Sequence, residues 1–299
     1  KGYENARKYF SDNPYWGEIN KGQIIHAINV FNPKNESDLR RHLYAMNNWY
    51  YFYEKNQMTP RFIYDEEFTR MSDQVGDNRK MPFVKDIINI AFKNLNEEDI
   101  VIITNSDISF ATNGIKSVRK MITKYECCFS FRRDHYGELE KVLWTIDDVS
   151  TLQWYVGSDL FAFTKRWWTK WGELFPDLLI GKPNWDWIMR CLMGYSIKGK
   201  DIWKQTINDI GNIACCNDII YHEKHDSYAE KPEVYLKDKA NMWNWILAKE
   251  WFKVMTNERI EELDGGEIFN NFNEEETISN YGEWFNYIKY MKKTWRILK

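Results

Sequence analysis

The stretch DIVIITNSDISF, residues 99–110, is a short aliphatic run followed at once by small polar residues. The apolar residues 100–103 are bounded by turn-forming residues, which is typical of a strand buried on both faces. Residues 104–107 then place hydroxyl, amide and carboxylate groups directly after the strand. Open α/β sheets bind ligands outside the carboxyl ends of their strands. The stretch therefore predicts a buried strand that ends at a metal and phosphate site, with a simple turn capped by Asp107 as the alternative.

The residues before this strand have the strongest helical periodicity in the chain. Apolar side chains recur at intervals of three and four through residues 83–95, and Pro82 stands where the first turn of a helix tolerates proline. This pattern predicts a helix that leads into the strand. Further upstream, the sequence predicts a strand at 23–31, a helix at 37–53 with Ser37 as N-cap, and a short strand at 61–64.

Strand and helix signals continue to alternate downstream, which favours an α/β fold. Beyond about residue 233 the strand signals stop and a helical, tryptophan-rich pattern takes over. We therefore expect an α/β domain over residues 1–232 and a C-terminal α-helical extension over residues 233–299. The downstream predictions are helices at 113–125, 165–174 and 184–193 and strands at 127–131, 157–163 and 218–222.

The composition excludes several classes of protein. A formal net charge of −3 provides no overall positive field for nucleic acid or an anionic membrane. No apolar run approaches the roughly 20 residues that cross a bilayer, and the first residues have no signal-peptide pattern. Five cysteines without paired two-residue spacings favour reduced thiols over disulfides. These features predict a cytoplasmic protein with no membrane span.

Nucleotide and metal motifs of other enzyme classes are missing from the sequence. It contains neither Gly-x-Gly-x-x-Gly nor Gly-Lys-Ser/Thr, so a dinucleotide oxidoreductase and a P-loop NTPase would lack their phosphate-binding loops. His222 and His225 lie three residues apart, whereas the zinc-protease motif requires four with Glu after the first histidine.

The order of the predicted parts resembles that of GT-A fold glycosyltransferases, and the whole is most similar to family-2-like proteins of bacteriophage and bacterial type. The resemblance covers residues 21–230 and consists of six features in order. They are an initial nucleotide-binding strand, a helix led by basic residues, a strand ending in a DxD-like motif, a glycine-containing strand, a helix with an acidic start and a late histidine. It implies a mixed central sheet flanked by helices. It also implies metal-dependent transfer of a sugar from a nucleoside-diphosphate sugar, such as a UDP-sugar, to an acceptor hydroxyl.

In this resemblance Asn105-Ser106-Asp107 stands for the acidic motif, with asparagine in place of the first aspartate. Asp107 and a histidine, His222 or His225, would bind Mn²⁺ or Mg²⁺ and neutralise the leaving diphosphate. A solvated histidine pair is the alternative for the two imidazoles. The residues implied to contact the donor are Phe31 and Asn32 for the base, Arg79 and Lys80 beside a helix N-terminus, Arg132 with Arg133 for phosphate, and Asn105 and Asp159.

On the acceptor side, Asp186 matches the general base of inverting members of the family. An ion pair with Arg190 at helical spacing is the alternative role for this residue. Trp185 and Trp187 could offer flat faces to a sugar ring or belong to the core. The acceptor itself stays open between a glycan and hydroxymethylated bases of phage DNA, for which the basic C-terminal segment would be the contact. A third alternative is a catalytically inactive GT-A-like binding module.

Overall fold

The computed structural model describes residues 22–30, 33, 35–139, 146–199, 214–225, 238–256 and 282–298. The chain forms two compact units, each assembled from separate stretches. The first comprises Lys1–Glu67, Ile87–Lys170 and Asn212–His225, and the second comprises Phe68–Asp86, Trp171–Gly211 and Asp226–Lys299. The domain boundary predicted at residue 232 lies outside the described residues.

A mixed sheet forms the centre of the first unit, and its described part has seven strands in the order β2-β1-β3-β6-β5-β7-β4. Strand β1 is parallel to β2 and β3, and β5 is parallel to β7. Strand β6 runs antiparallel between β3 and β5, and β4 is antiparallel to β7 at the edge. The strands are β1 Ile24–Asn29, β2 Thr59–Ile63, β3 Ile100–Thr104, β4 Ile108–Phe110, β5 Cys127–His135, β6 Gln153–Thr164 and β7 Ile220–Glu223.

Helices accompany the sheet as the alternating pattern predicted, so the mixed α/β class is confirmed. In chain order they are α1 Glu36–Glu54, α2 Val84–Ala91, α3 Gly114–Tyr125, α4 Lys165–Trp171, α5 Trp185–Lys198, α6 Lys239–Thr256 and α7 Gly282–Leu298. The helical pattern expected beyond residue 233 is confirmed by α6 and α7. No helix in the described ranges is long and apolar enough to cross a membrane.

Two helix starts differ from the predictions. Asn35, not Ser37, caps α1, because its Oδ1 accepts a hydrogen bond from the Asp38 amide at 2.9 Å. Helix α2 begins at Val84, and Pro82 lies before it in a β-bridge with Met71.

The central strand β3 is buried along its whole length, as its sequence predicted. Ile100 is 5% exposed, and Val101, Ile102 and Ile103 are 1% exposed or less. Removing a side chain of this size from water stabilises the fold by about 1.5–3 kcal/mol. The strand is therefore a rigid support for the polar residues that follow it.

The short strand β4, which the sequence did not predict, follows those polar residues and is held on its outer edge by α1. Asn48 Nδ2 donates to the Phe110 carbonyl at 2.9 Å, and Asn48 Oδ1 accepts from the Phe110 amide at 2.7 Å. Trp49 Nε1 donates to the Ile108 carbonyl at 2.8 Å. These bonds satisfy backbone groups that an edge strand otherwise leaves unpaired. The residues between β3 and β4 are thus fixed at both ends.

A buried histidine on β1 lies between helix α1 and the end of the neighbouring strand β3. His26 Nδ1 lies 2.9 Å from the Tyr53 hydroxyl and Nε2 lies 3.0 Å from Thr104 Oγ1. Burial lowers the pKa of His26 from 6.5 to about 3, so the imidazole is neutral in the folded protein. Its ring connects the end of β3 to α1.

This histidine predicts a specific loss of stability in acid. Between pH 6.5 and about 3, His26 is protonated in the unfolded chain but neutral in the folded protein. The contribution of His26 to the free energy of unfolding is therefore complete above pH 6.5 and decreases as the pH falls below 6.5. From pH 7.5 to pH 4.5 wild type should lose about 3 kcal/mol more unfolding free energy than His26→Asn. Urea unfolding of both proteins at both pH values measures this, and equal losses would contradict it.

In the second unit a buried asparagine on α6 bonds the backbone of a neighbouring segment. Asn244 on α6 accepts from the Leu179 amide at 2.8 Å and donates to the Leu179 carbonyl at 2.9 Å. Trp243, Trp251 and Trp295 are buried. The tryptophans of this part of the chain are therefore mostly core residues.

Candidate metal centre and its polar chain

Pairing between β4 and β7 brings Asp107 to two histidines. Ile108 is the register partner of His222, so Asp107, one residue earlier, reaches the imidazole: Asp107 Oδ2 lies 3.2 Å from His222 Nε2. His225, in the loop after β7, places its Nε2 3.3 Å from the same oxygen. The three predicted metal-binding residues thus lie together at the carboxyl end of β3.

The donor atoms of this group lie close enough together to hold a metal ion. One ligand atom from each of the three residues lies within 4.8 Å of the others. The side chains of His222, Asp107 and His225 are 2%, 18% and 34% exposed. The group is therefore buried on the side of His222 and accessible to solvent on the side of His225. Two imidazoles with one carboxylate suit Mn²⁺ and other transition metals better than Mg²⁺, which prefers oxygen ligands.

A second carboxylate stands behind His222. Asp134 is the register partner of His222 across β5 and β7, and its Oδ1 lies 3.4 Å from His222 Nδ1. A carboxylate in this place orients a ligating imidazole and increases its basicity. Asp134 was not predicted as a site residue, although it lies two residues after Arg132 on β5 and its side chain therefore points to the same face of the sheet.

Arg132 extends this arrangement to the predicted donor-binding residues. Its Nε donates to Asp134 Oδ1 at 2.9 Å, and its Nη1 donates to Asp159 Oδ2 at 3.0 Å. Asn105 Nδ2 donates to the other oxygen of Asp159. We call the resulting series the polar chain, and its members in order are Asn105, Asp159, Arg132, Asp134, His222, Asp107 and His225.

An aromatic ring covers the guanidinium in the polar chain. Arg132 Cζ lies 4.0 Å from the centre of the Tyr155 ring, a cation–π contact. A Cβ at Gly157 would collide with the same ring. The glycine in the predicted glycine-containing strand therefore leaves room for Tyr155 beside Arg132.

The polar chain carries more negative than positive charge. Burial alone would raise the pKa of Asp107, but hydrogen bonds from His222 and His225 outweigh burial and hold that pKa well below its ordinary value. The pKa of Asp134 is likewise lowered, because contacts with His222 and Arg132 outweigh the effect of burial. Three carboxylates, counting Asp159, thus face one guanidinium when the imidazoles are neutral. This imbalance favours a bound cation.

The cationic alternative to a metal is a proton on His222. Burial lowers the pKa of His222, but the carboxylates of Asp107 and Asp134 outweigh it, so its pKa is raised. A metal ion and this proton would compete for the same nitrogen.

The middle residue of the motif is held by α1. Ser106 Oγ lies 2.9 Å from His42 Nε2, and Asp107 contributes to the electrostatic surroundings of that imidazole. Sequence reasoning missed His42, because nothing in a helical pattern indicates which loop a side chain meets.

Several residues predicted to bind the donor are not part of the polar chain. Arg79 donates to Asp77 and Asp238 within the second unit, so its guanidinium is already occupied by two carboxylates. Lys80, also in the second unit, is exposed with a left-handed φ of 55°. Arg133 donates to Asp218 Oδ1 at 2.6 Å. Phe31 and Asn32 lie outside the described residues.

The acceptor-side residues belong to the second unit. Asp186 lies in the first turn of α5, where a carboxylate interacts favourably with the helix dipole. Trp185 and Trp187 beside it are 3% and 8% exposed. Of the two alternatives stated for these tryptophans, their burial supports the core and not an exposed sugar-binding face.

Replacing Asn105 by aspartate, which would restore the acid that the family motif has at this position, is expected not to improve metal binding. In Asn105→Asp the new carboxylate would face Asp159 Oδ1, replacing a hydrogen bond with a like-charge contact. We expect about 2 kcal/mol lower unfolding free energy and no gain in metal affinity. Chemical denaturation and metal titration measure both, with Asn105→Ala as the uncharged control. Tighter Mn²⁺ binding by Asn105→Asp would contradict this.

The fold and the site together define a mixed α/β protein with an Asp/His/His group at the carboxyl end of a central strand. No protein-family model matches the chain, and no curated protein matches it.

Proposed function

We propose that the protein is a metal-dependent glycosyltransferase that moves a sugar from a nucleoside-diphosphate sugar, a UDP-sugar in our assignment, to an acceptor hydroxyl. The observation that carries the proposal is the convergence of Asp107, His222 and His225 where β3 ends. A GT-A-like arrangement is part of this proposal. It is supported by a mixed sheet whose parallel strands β1, β2 and β3 end on one edge, where open sheets bind ligands.

Mn²⁺ is the ion we propose for this group, and when bound it would neutralise charge on the departing diphosphate. Asp107, His222 and His225 would hold it, and Asp134, whose Oδ1 lies 3.4 Å from His222 Nδ1, would orient the imidazole. The chain's residues thus supply one carboxylate and two nitrogens from two distant parts of the sequence, Asp107 and the segment 222–225.

The rest of the polar chain offers groups suited to a sugar nucleotide. Asp159 provides carboxylate oxygens for sugar hydroxyls, and it is kept in place by Asn105 and Arg132. Arg132, although its guanidinium also pairs with Asp134 and Asp159, would be the group that contacts a phosphate. Asp186 is our proposed base for an inverting reaction, in which it would take the proton of the attacking hydroxyl.

The two alternatives are a DNA-modifying enzyme and an inactive module. The burial of Trp295 counts against a DNA acceptor, since this tryptophan of the basic C-terminal segment cannot stack on a base. The inactive module would keep the fold and lose donor turnover.

A titration of nucleoside-diphosphate sugars with and without Mn²⁺ tests the proposal. We expect binding of at least one UDP-sugar that needs the ion, and slow release of free sugar into water. Metal-dependent binding without any sugar release to water or to offered acceptors would favour the inactive module. No binding of any sugar nucleotide at saturating Mn²⁺ would refute the proposed function.

A further inference from the structure

The outer face of helix α7 groups exposed basic and apolar side chains that the polar chain does not use. Along residues 286–297 the sequence has no acid. Tyr290 is 64% exposed and Ile297 is 72% exposed. Lys289, Lys293 and Arg296 are also exposed.

These five residues share one side of the helix. At about 100° per residue, Arg296, Lys289, Lys293, Ile297 and Tyr290 follow one another around an arc of about 120°. The opposite side carries Ile288, Met291 and Trp295, which are 6% exposed or less. The helix thus separates a buried apolar face from an outer face that combines cations with a tyrosine and an isoleucine.

The three cations of the outer face make no ion pair with any residue in the described ranges. Their neighbour Lys292 differs, because its Nζ contacts the Glu250 carboxylate on α6. A partner that approaches the outer face therefore meets positive charge that is not already neutralised by a described carboxylate.

The apolar members of the face distinguish between anionic partners. Bases stack on flat rings, and Tyr290 is the single ring among the five residues of the outer face, because Trp295 is fully buried. An exposed isoleucine has no stacking face but gains free energy on entering an acyl-chain boundary, and tyrosine favours the headgroup level. The combination suits a lipid surface better than nucleic acid.

We propose that the outer face of α7, formed by Lys289, Tyr290, Lys293, Arg296 and Ile297, binds the surface of a membrane that contains anionic lipids. The helix would lie in the plane of the interface, with the cations at the headgroups and Ile297 at the acyl boundary. This inference does not depend on the proposed transferase activity, and its test does not measure activity.

Vesicle flotation of the intact chain tests the inference. We expect binding to vesicles of phosphatidylcholine with one quarter phosphatidylglycerol, little binding to phosphatidylcholine alone, and weaker binding in high salt. Each cation near an anionic surface contributes about fivefold, so Lys289→Glu, Lys293→Glu and Arg296→Glu together should weaken binding by at least roughly 100-fold. Tyr290→Ser with Ile297→Ser, which keeps the charge, should weaken it roughly tenfold or more.

The matched control removes the same charge from another exposed helix face. Lys116→Glu, Lys120→Glu and Lys124→Glu on α3 should leave vesicle binding within about twofold. An equal loss in this control, no binding of folded wild type to anionic vesicles, or tighter binding to a DNA duplex than to those vesicles would overturn the inference. Circular dichroism of each variant confirms that loss of binding is not loss of folding.

Discussion

Asp107→Ala is expected to abolish Mn²⁺ binding at the polar chain and to reduce sugar transfer by about 1000-fold, or about 4 kcal/mol of barrier. The reason is geometric. Asp107 Oδ2 is the atom that lies 3.2 Å from His222 Nε2 and 3.3 Å from His225 Nε2. Without it two imidazoles remain, one of them buried. Calorimetric Mn²⁺ titration and initial rates of donor turnover measure the two effects.

Two controls separate the loss of a ligand from a loss of fold. Asp107→Asn keeps the size of the side chain but removes its charge, so it should also lose most metal affinity. Glu97→Ala removes an exposed carboxylate from the first unit and should change neither quantity. Full turnover by folded Asp107→Ala would refute a catalytic metal at this position.

Asn48→Ala is expected to lower the free energy of unfolding by about 3 kcal/mol and to weaken Mn²⁺ binding. Asn48 is fully buried and bonds both the amide and the carbonyl of Phe110. Truncation leaves two buried backbone groups unsatisfied, at a cost of about 1–3 kcal/mol each. The metal is affected because β4 fixes the chain directly after Asp107. Urea unfolding and metal titration test the two parts.

The second unit provides a matched control for this variant. Asn244 makes the same pair of bonds to the amide and carbonyl of Leu179. Asn244→Ala should therefore cost similar stability without changing Mn²⁺ affinity. Equal metal affinities in Asn48→Ala and Asn244→Ala would mean that β4 does not position Asp107.

The strands and helices with strong periodicity could be predicted because their patterns are local. Residues 100–103 are apolar and bounded, and α2 repeats every three or four residues, so both are evident without tertiary information. Strand β4 could not be predicted in this way, since three residues are too few to show a period of two. Its existence depends on β7 and α1, which are distant in sequence.

Candidate site residues could be named from the sequence where their own chemistry was sufficient and were missed where partners were needed. Asp107 was a candidate because it follows a buried strand, and His222 and His225 were candidates through the family resemblance; the structure brings the three side chains together. Asp134 became recognisable only when the parallel pairing of β5 and β7 placed it behind His222. The partner of Arg79 at Asp238 is likewise 159 residues away in the sequence, so its ion pair was not foreseeable.

The asparagine at the start of the motif is explained by the same non-local contacts. Asn105 occupies a position where the resemblance implies an acid, and Asp159 lies against it across β3 and β6. Arg132 balances Asp159 from the other side. A carboxylate is thus present beside the first motif position, although it comes from another strand.

The most direct test of the account is an anomalous diffraction map of crystals soaked in Mn²⁺. We predict one strong peak bound by Asp107 Oδ2, His222 Nε2 and His225 Nε2, with Asp134 behind His222. At saturating Mn²⁺, a map with no peak at these three atoms, or with the ion bound elsewhere, would contradict the central claim that this group is a metal centre.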